Sequence, residues 1–388
     1  MSVTAARGFE ASGVAAGIRR AGPDFALVRS TDRAVGAAMW TTNRVLAAPV
    51  VVSKRHLAQA EPRAVVVNAG VANAATGLRG EEDAEATAAA VAEAIGLEAT
   101  EVVVLSTGVI GATLPMDRVL AGVGPLAAAL SAAGGDAAAT AILTTDSGPK
   151  TAAVSRDGFT VGGMAKGAGM IHPCLATMLA VVTTDYPLEP GEASAFLAPA
   201  VHASFNRISV DGECSTNDAV VLLANGAGGI AERDSTTDSE FAAALAEVCS
   251  DLSRQIVADG EGATVLLEID VAGAASQGQA DAIARRIATS PLVKTAAFGH
   301  DPNWGRVLAA AGSAQWNGGF AELDPERLTV SFDGTAVFAR GAPTGATPEL
   351  GGGVCRIELD LSLGDGRASY LASDLSYDYV RINAEYTT

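Results

Sequence analysis

The sequence predicts an α+β fold in which sheets and helices pack in layers as a sandwich. Short apolar segments typical of strands occur in both halves of the chain, and long alanine-rich or amphipathic segments typical of helices lie between them. These segments do not follow the strict β-α-β alternation of a doubly wound sheet. Hydrophobic residues make up 49% of the 388 residues but aromatic residues only 5%, so the core is built mainly from Ala, Val, Leu and Ile.

The elements of the first half follow from these patterns. Residues 65–67 and 102–105 are predicted strands, and an Ala/Glu-rich helix at 81–95 lies between them and ends at Gly96. The further predicted elements are helices at 116–130 and 137–143, and strands at 151–155 and 159–162 joined by a hairpin turn at Asp157-Gly158.

The second half repeats the theme. A β-prone apolar segment at 177–183 is expected to be a central, buried strand. The tail from residue 328 is predicted to be rich in strands, with hairpin turns at Asp333-Gly334 and Asp365-Gly366. Helices are predicted at 193–205, 240–258, 282–289 and 304–311.

Composition excludes several classes of function. The chain has 26 Lys and Arg against 44 Asp and Glu, a net charge of −18, and such a surface repels phosphate backbones and anionic lipids. We therefore expect neither a nucleic-acid nor a membrane partner. The charge-free stretch 167–184 approaches membrane-spanning length, but its proline, histidine and glycines favour a buried strand after a functional loop.

Cysteines and histidines point to a cytoplasmic protein without a metal. None of the four cysteines forms a C-x-x-C pair, so they are expected to be reduced thiols, and the first residues lack the apolar core of a signal peptide. None of the four histidines has the H-E-x-x-H or H-x-H spacing of a metal site.

One stretch, GGMAKGAGMIHPCLATML, stands out as a candidate for chemistry. Its glycines permit backbone conformations that other residues avoid, and Lys166 is the lone charge among them. The local pattern alone equally fits a glycine-rich turn that leads into a core strand, with Thr177 as an ordinary strand residue. Nucleotide-binding alternatives fail because Gly167, rather than Ser or Thr, follows Lys166, and because Gly167-Ala168-Gly169 lacks the third glycine of a dinucleotide loop.

The same stretch resembles the processing site of the glutamate N-acetyltransferase family of arginine biosynthesis, also called ornithine acetyltransferases. Further blocks similar to this family occur in family order along nearly the whole chain. They are NAGVANAATG, STGVIG with LPMD, TTD, SVDGECSTND, DPNWGR and the ending INAEYTT. The chain departs from the family pattern at residues 68–71 and at His172, which puts only fine specificity in doubt.

The resemblance implies a self-cleaving enzyme with an N-terminal threonine nucleophile. The Thr177 hydroxyl would attack the carbonyl of Ala176, which yields an alpha fragment, 1–176, with an oxyanion-hole turn and a beta fragment, 177–388, that begins with the nucleophile. The freed amine of Thr177 has an ordinary pKa of about 7.7–8.0 and can serve as base for its own hydroxyl. The fold would be an αββα-type sandwich formed by both fragments, with a strand-rich C-terminal part.

The resemblance also implies roles for other residues of this sequence. Thr107 and Gly108 would form the oxyanion hole. The substrate-binding residues would be Thr144, Lys166, Thr177, Glu261, Asn383 and Thr388. The DGECSTND block is expected to be mainly a turn rich in hydrogen bonds from side chains to backbone, and His300 is left out of the site.

The implied reaction transfers an acetyl group from N2-acetylornithine to L-glutamate by a ping-pong route through acetyl-threonine. No cofactor is expected, although acetyl-CoA enters as a further acetyl donor in some family members. The fragments are expected to assemble as a heterotetramer of two alpha and two beta.

Three alternatives remain open at this stage. The first is an N-terminal-threonine amidase or aminopeptidase of related fold, which would give the acyl group to water. The second is a thiol hydrolase built on Cys174 with His172, and the third is a binding protein that never cleaves itself.

Overall fold

The structure, a computed structural model, describes residues 2–172 and 178–385, and its elements are numbered in chain order. The helices are α1 (Ala48–Leu57), α2 (Gly77–Ile95), α3 (Met116–Ala128), α4 (Gly135–Ala141), α5 (Ala193–Ala203), α6 (Ser235–Ala258), α7 (Gln277–Ala288), α8 (Pro291–Phe298), α9 (Trp304–Ala311) and α10 (Tyr377–Glu385).

The strands of the first part are β1 (Phe9–Val14), β2 (Phe25–Ser30), β3 (Val35–Trp40), β4 (Ala64–Val71), β5 (Val102–Val109), β6 (Lys150–Arg156), β7 (Phe159–Lys166), β8 (Leu179–Thr184), β9 (Ile208–Ser209) and β10 (Ala219–Ala224). Those of the second part are β11 (Leu266–Ala274), β12 (Gln315–Trp316), β13 (Gly319–Phe320), β14 (Thr329–Phe332), β15 (Thr335–Ala339), β16 (Ala342–Pro343), β17 (Val354–Asp360) and β18 (Gly366–Ser373).

Two sheets pack face to face in the centre of the sandwich. One has the strand order β1-β2-β4-β5, and the other has the order β3-β10-β8-β7-β6. Val28, Val65 and Leu105 of the first sheet share one buried apolar core with Met164 and Val181 of the second. Burial of this surface on both inner faces is the main force that holds two sheets together.

Helices cover the two outer faces. Val91 of α2 and Val119 of α3 pack on the outside of the four-stranded sheet. Leu197 of α5 and Leu245 of α6 pack on the outside of the five-stranded sheet. The helix-sheet-sheet-helix order confirms the predicted sandwich.

Helix α6 fixes one wall of the site. It begins where the Asp234 carboxylate accepts hydrogen bonds from the backbone N–H groups of Thr236 and Thr237, at 2.9 and 2.8 Å. Such a cap supplies acceptors for N–H groups that have no partner within the helix. The helix ends at Ala258, so that Asp259 and Glu261 follow directly from its last turn.

The second part of the chain adds a further layer with its own core. Its sheet has the order β16-β15-β14-β17-β11-β18-β9. Leu267 and Ile357 of this sheet pack against Ile283 of α7 and Val307 of α9. We call this region the C-terminal layer.

Several predicted elements are confirmed. The hairpin at Asp157-Gly158 joins β6 and β7, and α9 has the predicted bounds. Strand β8 lies in the middle of its sheet and is buried along its whole length, as expected for the segment after Thr177. The turn at Asp333-Gly334 joins β14 to β15.

One predicted hairpin is wrong. Asp365-Gly366 connects β17 to β18, but these strands do not pair, because β11 lies between them. The connection instead crosses the end of β11, where the N–H groups of Leu363 and Gly364 donate to the Gly273 carbonyl at 2.7 and 2.9 Å. The Asp365-Gly366 dipeptide indicates that the chain turns there, but it does not determine which strand pairs with β18.

Other elements were missing from the prediction. Strands β1 to β3 and β9 to β13 and helices α1, α8 and α10 were not predicted, and α10 lies in a tail that was expected to be rich in strands. Helix α2 begins at Gly77, four residues before the predicted start at 81. Tyr377 and Val380 of α10 are exposed, and none of its nine residues is fully buried.

Candidate functional site

The site lies at one end of the sandwich, where β5 and β7 end and β8 and β10 begin. The predicted oxyanion turn closes β5. Thr107 is buried, and Gly108 has a φ of +131°. A Cβ at Gly108 would lie only 2.2 Å from the carbonyl carbon of Gly70, so the close approach of β4 and β5 admits only glycine there.

A network of amide and hydroxyl groups holds this turn. Asn217 Nδ2 donates to the carbonyl oxygens of Ala72 and Ser106, at 2.6 and 2.8 Å. Ser106 Oγ in turn donates to Asn68 Oδ1 at 2.5 Å. All of these side chains are buried, and buried polar groups that are fully paired make a rigid arrangement.

Asp218, next in sequence to Asn217, reaches the second sheet. Its Oδ1 accepts a hydrogen bond from the backbone N–H of Met178 at 2.9 Å. Among the residues that the structure describes, none donates to its Oδ2. Burial raises the pKa of Asp218 well above its ordinary value, although the Met178 amide opposes this effect.

A second carboxylate holds the chain on the other side of residues 173–177. Asp211 Oδ2 accepts from Met170 N at 2.6 Å, and its Oδ1 accepts from Ile171 N at 2.9 Å. The Ile171 carbonyl accepts from Val210 N at 3.0 Å. The DGECSTND block is therefore confirmed as a turn rich in side-chain-to-backbone bonds, and its two aspartates bind both flanks of the segment that carries the predicted cleavage bond.

Ala176, Thr177, Cys174 and Thr388 lie outside the described residues, so the predicted roles of these four residues remain predictions.

Lys166 ends β7 and is a buried cation. Its side chain is 3% exposed, and the nearest carboxylate oxygen, Asp146 Oδ2, lies 3.8 Å from its Nζ. No hydrogen bond joins Nζ to any residue within 2–172 or 178–385. Burial lowers the pKa of Lys166, and the charge of Asp146 is the strongest influence in the other direction.

Asp146 follows Thr144 by two residues and binds the main chain on both sides of the site. Its Oδ2 accepts from Thr144 N at 3.0 Å, and its Oδ1 accepts from Gly167 N at 2.6 Å. Burial alone would raise the pKa of Asp146, but the charges of Lys166 and Lys150 outweigh burial and hold this pKa well below its ordinary value.

Lys150 joins Asp146 to the end of α6. Its Nζ lies 2.7 Å from Asp146 Oδ1, 2.5 Å from Asp259 Oδ2 and 3.3 Å from the Gly148 carbonyl oxygen. All three donor positions of this buried ammonium are therefore filled.

Glu261 and Asn383 form the opposite wall of the cluster. Asn383 Nδ2 donates to Glu261 Oε2 at 2.8 Å, and Glu261 N donates to the Ala168 carbonyl at 2.8 Å. A Cβ at Gly169 would lie 2.5 Å from the Glu261 carboxyl carbon, so the glycine-rich stretch lets this carboxylate approach the main chain. The charge of Glu261 also acts on Lys166.

The structure thus gathers Thr144, Lys166, Glu261 and Asn383 into one cluster. Next to it, the charge of Asp218 acts on Lys166, and Asn217 donates to the carbonyl of Ser106, which precedes Thr107. Sequence reasoning assigned no role to Asp146, Lys150 or Asp259. Asp146 belongs to the TTD block, which was the one signal that could have identified it.

A separate cavity of about 650 Å³ lies at the opposite end of the sandwich, lined by Arg33 and Pro187 among others, and none of the predicted site residues borders it.

Within the described residues, no group of three or more His, Cys, Asp or Glu side chains is arranged to hold a metal ion. The helices of that part of the chain include none with the length and apolar character needed to cross a bilayer.

Comparison with known proteins identifies the family. The model of the ArgJ family matches residues 10–388. The chain belongs to the ArgJ family. The resemblance to ornithine acetyltransferases is thereby confirmed.

Relatives within the ArgJ family are similar over their full length. The arginine biosynthesis bifunctional protein ArgJ of Mycolicibacterium paratuberculosis is 50% identical, over 100% of this chain and 96% of the relative. The protein of the same name from Geobacter sulfurreducens is 47% identical, over 98% of this chain and 99% of the relative. A crystal structure of ornithine acetyltransferase complexed with ornithine, from Mycobacterium tuberculosis, is 46% identical, covers 46% of this chain and 95% of its own, and has a TM-score of 0.43.

Proposed function

We propose that this ArgJ-family chain is an arginine-biosynthesis acetyltransferase that moves the acetyl group of N2-acetylornithine to L-glutamate through Thr177. The observation that carries the proposal is the cluster at one end of the sandwich. Lys166 is buried, and within the described part of the chain no residue accepts a hydrogen bond from its Nζ. It lies near the Glu261 carboxylate, beside the two anchored flanks of residues 173–177. The full-length relatives named for arginine biosynthesis support the same function.

Cleavage between Ala176 and Thr177 prepares the nucleophile. The Thr177 hydroxyl attacks the Ala176 carbonyl, the peptide C–N bond breaks as its nitrogen takes up a proton, and water hydrolyses the resulting ester. The fragments are then 1–176 and 177–388. The bonds of Asp211 and Asp218 to the main chain on either side support this step, because they limit how far the chain around the bond can relax.

Acetyl transfer then takes place in two half-reactions. The free amine of Thr177 accepts the proton of its own hydroxyl, whose oxygen attacks the acetyl carbonyl, and ornithine leaves with a proton on its nitrogen. The amine of glutamate attacks the acetyl-threonine ester, and the hydroxyl regains its proton. Thr107 and the N–H of Gly108 donate to the oxyanion in both halves; loss of one such donor costs about 3–4 kcal/mol of barrier in well-studied acyl transferases and hydrolases.

Charge explains how two different amino acids share one pocket. Donor and acceptor both carry an α-carboxylate, which binds the open donors of Lys166. Glu261 attracts the side-chain ammonium of ornithine, and Asn383 orients Glu261 through their 2.8 Å hydrogen bond. Thr144 and Thr388 complete the substrate site.

Finer parts of the function extend the same proposal. The enzyme works in the cytoplasm without a bound cofactor, and acetyl-CoA serves as a second acetyl donor for the same threonine. Two alpha and two beta fragments form the heterotetramer.

Electrophoresis under denaturing conditions tests the cleavage. Wild-type protein should give fragments 1–176 and 177–388 instead of one band of 38.9 kDa, and Thr177→Ala should stay whole and inactive. Cys174→Ala should cleave and transfer acetyl normally, which excludes the thiol hydrolase. A wild-type chain that remains whole and inactive would refute the proposal.

Product analysis separates transferase from amidase. Cleaved enzyme is incubated with N2-acetylornithine and glutamate, and N-acetylglutamate and free acetate are measured. The transferase yields N-acetylglutamate, whereas acetate with no N-acetylglutamate would indicate the N-terminal-threonine amidase. A parallel assay with acetyl-CoA determines whether it is a donor.

A further inference from the structure

Three separate segments of the site converge on one buried carboxylate. Asp146 accepts hydrogen bonds from the backbone N–H groups of Thr144 and Gly167, receives the ammonium of Lys150, and lies 3.8 Å from the ammonium of Lys166. Its side chain is fully buried. No step of the reaction described above uses Asp146 or Lys150.

The two lysines next to Asp146 differ in how their donors are used. Lys150 is satisfied by Asp146, Asp259 and the Gly148 carbonyl. Lys166 lies 3.8 Å from the same carboxylate, and no residue in the described ranges accepts a hydrogen bond from its Nζ. A buried ammonium without any counter-charge is strongly disfavoured, and Asp146 is the strongest of the charges that favour the cationic form of Lys166.

We propose that Asp146 and Lys150 are positioning residues of the acetyl-transfer site, which keep Lys166 charged and in place to bind the α-carboxylate of the substrates. This inference rests on the proposed function, because it assigns Lys166 its ligand. Lys150 occupies one oxygen of Asp146, and the other oxygen faces Lys166.

The same charges align the two predicted fragments. Lys150 belongs to 1–176, and its second partner, Asp259, belongs to 177–388. Asp259 Oδ2 also accepts from Ser147 N at 3.0 Å. Since Asp259 is two residues before Glu261, this link sets the position of Glu261 relative to Lys166 after the chain has been cut.

A pH signature distinguishes this role from a merely structural one. Among the residues within 2–172 and 178–385, the charged groups that act most strongly on Lys166 are Asp146, Lys150, Asp218 and Glu261. Burial lowers the pKa of Lys166, and Asp146 is the strongest group that opposes burial. Removal of this charge by Asp146→Asn lowers the pKa of Lys166 further. Lys166 then loses its proton, and with it the substrate carboxylate, at lower pH than in the wild type.

The experiment measures KM for glutamate and for N2-acetylornithine in cleaved wild type and Asp146→Asn, from about pH 7 to about pH 9. We expect KM of the variant to be about tenfold higher at pH 7, and the ratio of variant to wild-type KM to rise further with pH, while kcat changes less. The ratio removes the titration of the substrates' own groups, which is common to both enzymes.

Asp185→Asn is the matched control. Asp185 is another buried aspartate whose carboxylate accepts two backbone N–H groups, from Arg7 at 3.0 Å and Thr160 at 2.6 Å, but it lies at the far end of β8. Its KM values should stay within about twofold of wild type at every pH, because no site residue depends on it. A KM ratio for Asp146→Asn that is flat with pH, or equal to that of Asp185→Asn, would overturn the inference.

Lys150 gives an independent test if Asp146→Asn does not fold or cleave. Lys150→Arg keeps the charge between Asp146 and Asp259, whereas Lys150→Met keeps only the length. We expect Arg to retain most of kcat/KM and Met to lose about tenfold or more. Equal activity of the two variants would refute the positioning role. Failure of wild type to transfer acetyl would instead refute the proposed function and is seen before any variant is made.

Discussion

Lys166, at the site end of the sandwich, and Lys294, in the C-terminal layer, are both buried, and the two lysines differ in their partners. Lys294, on α8, is 3% exposed; its Nζ donates to the Ser373 carbonyl and lies 3.4 Å from Ser373 Oγ. Lys166 is also buried, and no hydrogen bond to its Nζ is formed by the described residues. Burial lowers the pKa of both, that of Lys294 to about 8.

The comparison shows that burial by itself does not identify a functional cation. Taking an ammonium out of water is costly in both regions. In the C-terminal layer, hydrogen bonds to the neighbouring strand offset the cost together with the charges of Asp374 and Asp211, so Lys294 acts as a structural crosslink between α8 and the end of β18. At the site end, the Asp146 carboxylate lies 3.8 Å from Lys166 and offsets only part of the cost of burying its ammonium. The N–H groups of Lys166 that no described residue uses are suited to a ligand carboxylate.

The largest expected effect separates the two lysines by activity. Lys166→Met should lower kcat/KM for both amino acids by about 30-fold or more, because loss of one partner of a buried charge pair costs about 2–5 kcal/mol. Lys294→Met, measured on folded and cleaved protein, should stay within about threefold of wild type. Steady-state kinetics with equal amounts of cleaved enzyme provides the measurement. Similar losses in both variants would mean that open donors do not mark the substrate site.

The fold was predictable where the determinants are local. The helix at 304–311 and the hairpin at Asp157-Gly158 followed from spacing and turn chemistry. The Asp365-Gly366 hairpin was wrong because a strand's neighbour is chosen by non-local pairing, here with β11.

The candidate site was only partly predictable for the same reason. Lys166 and Glu261 came from family resemblance rather than from spacing, since they are 95 residues apart in the numbering. Asp146 and Lys150 are four residues apart, yet nothing local shows that Asp259 joins them or that β7 brings Lys166 to the same carboxylate. Buried charge networks depend on tertiary packing and escape sequence patterns.

A smaller effect concerns stability and tests the role of Lys294. Its pKa is about 8 in the folded protein, against about 10.4 in an unfolded chain, so the unfolded state binds more protons between these values. The contribution of Lys294 to the free energy of unfolding of the wild type therefore rises with pH, by about 1.3 kcal/mol from about pH 7 to about pH 9.

Lys294→Met should lack this rise, so the variant loses stability relative to wild type over that range. Denaturant unfolding at several pH values measures the difference. A difference between wild type and Lys294→Met that does not change with pH would show that Lys294 is not held with a lowered pKa.

The smallest expected effect concerns Asn383 and again depends on whether the hydrogen-bond donors of a side chain are already used by other protein groups. Both N–H groups of its amide are used, one to Glu261 Oε2 at 2.8 Å and one to the Tyr379 carbonyl at 3.1 Å. By analogy with Lys294, a group with filled donors positions its neighbour rather than binding the ligand through those donors. Asn383→Ala should therefore raise KM for N2-acetylornithine by only about fivefold, near 1 kcal/mol for one lost hydrogen bond, whereas Glu261→Gln should raise it more. If Asn383→Ala is as damaging as Lys166→Met, the amide binds substrate directly, and filled donors are not a sufficient criterion for a positioning role.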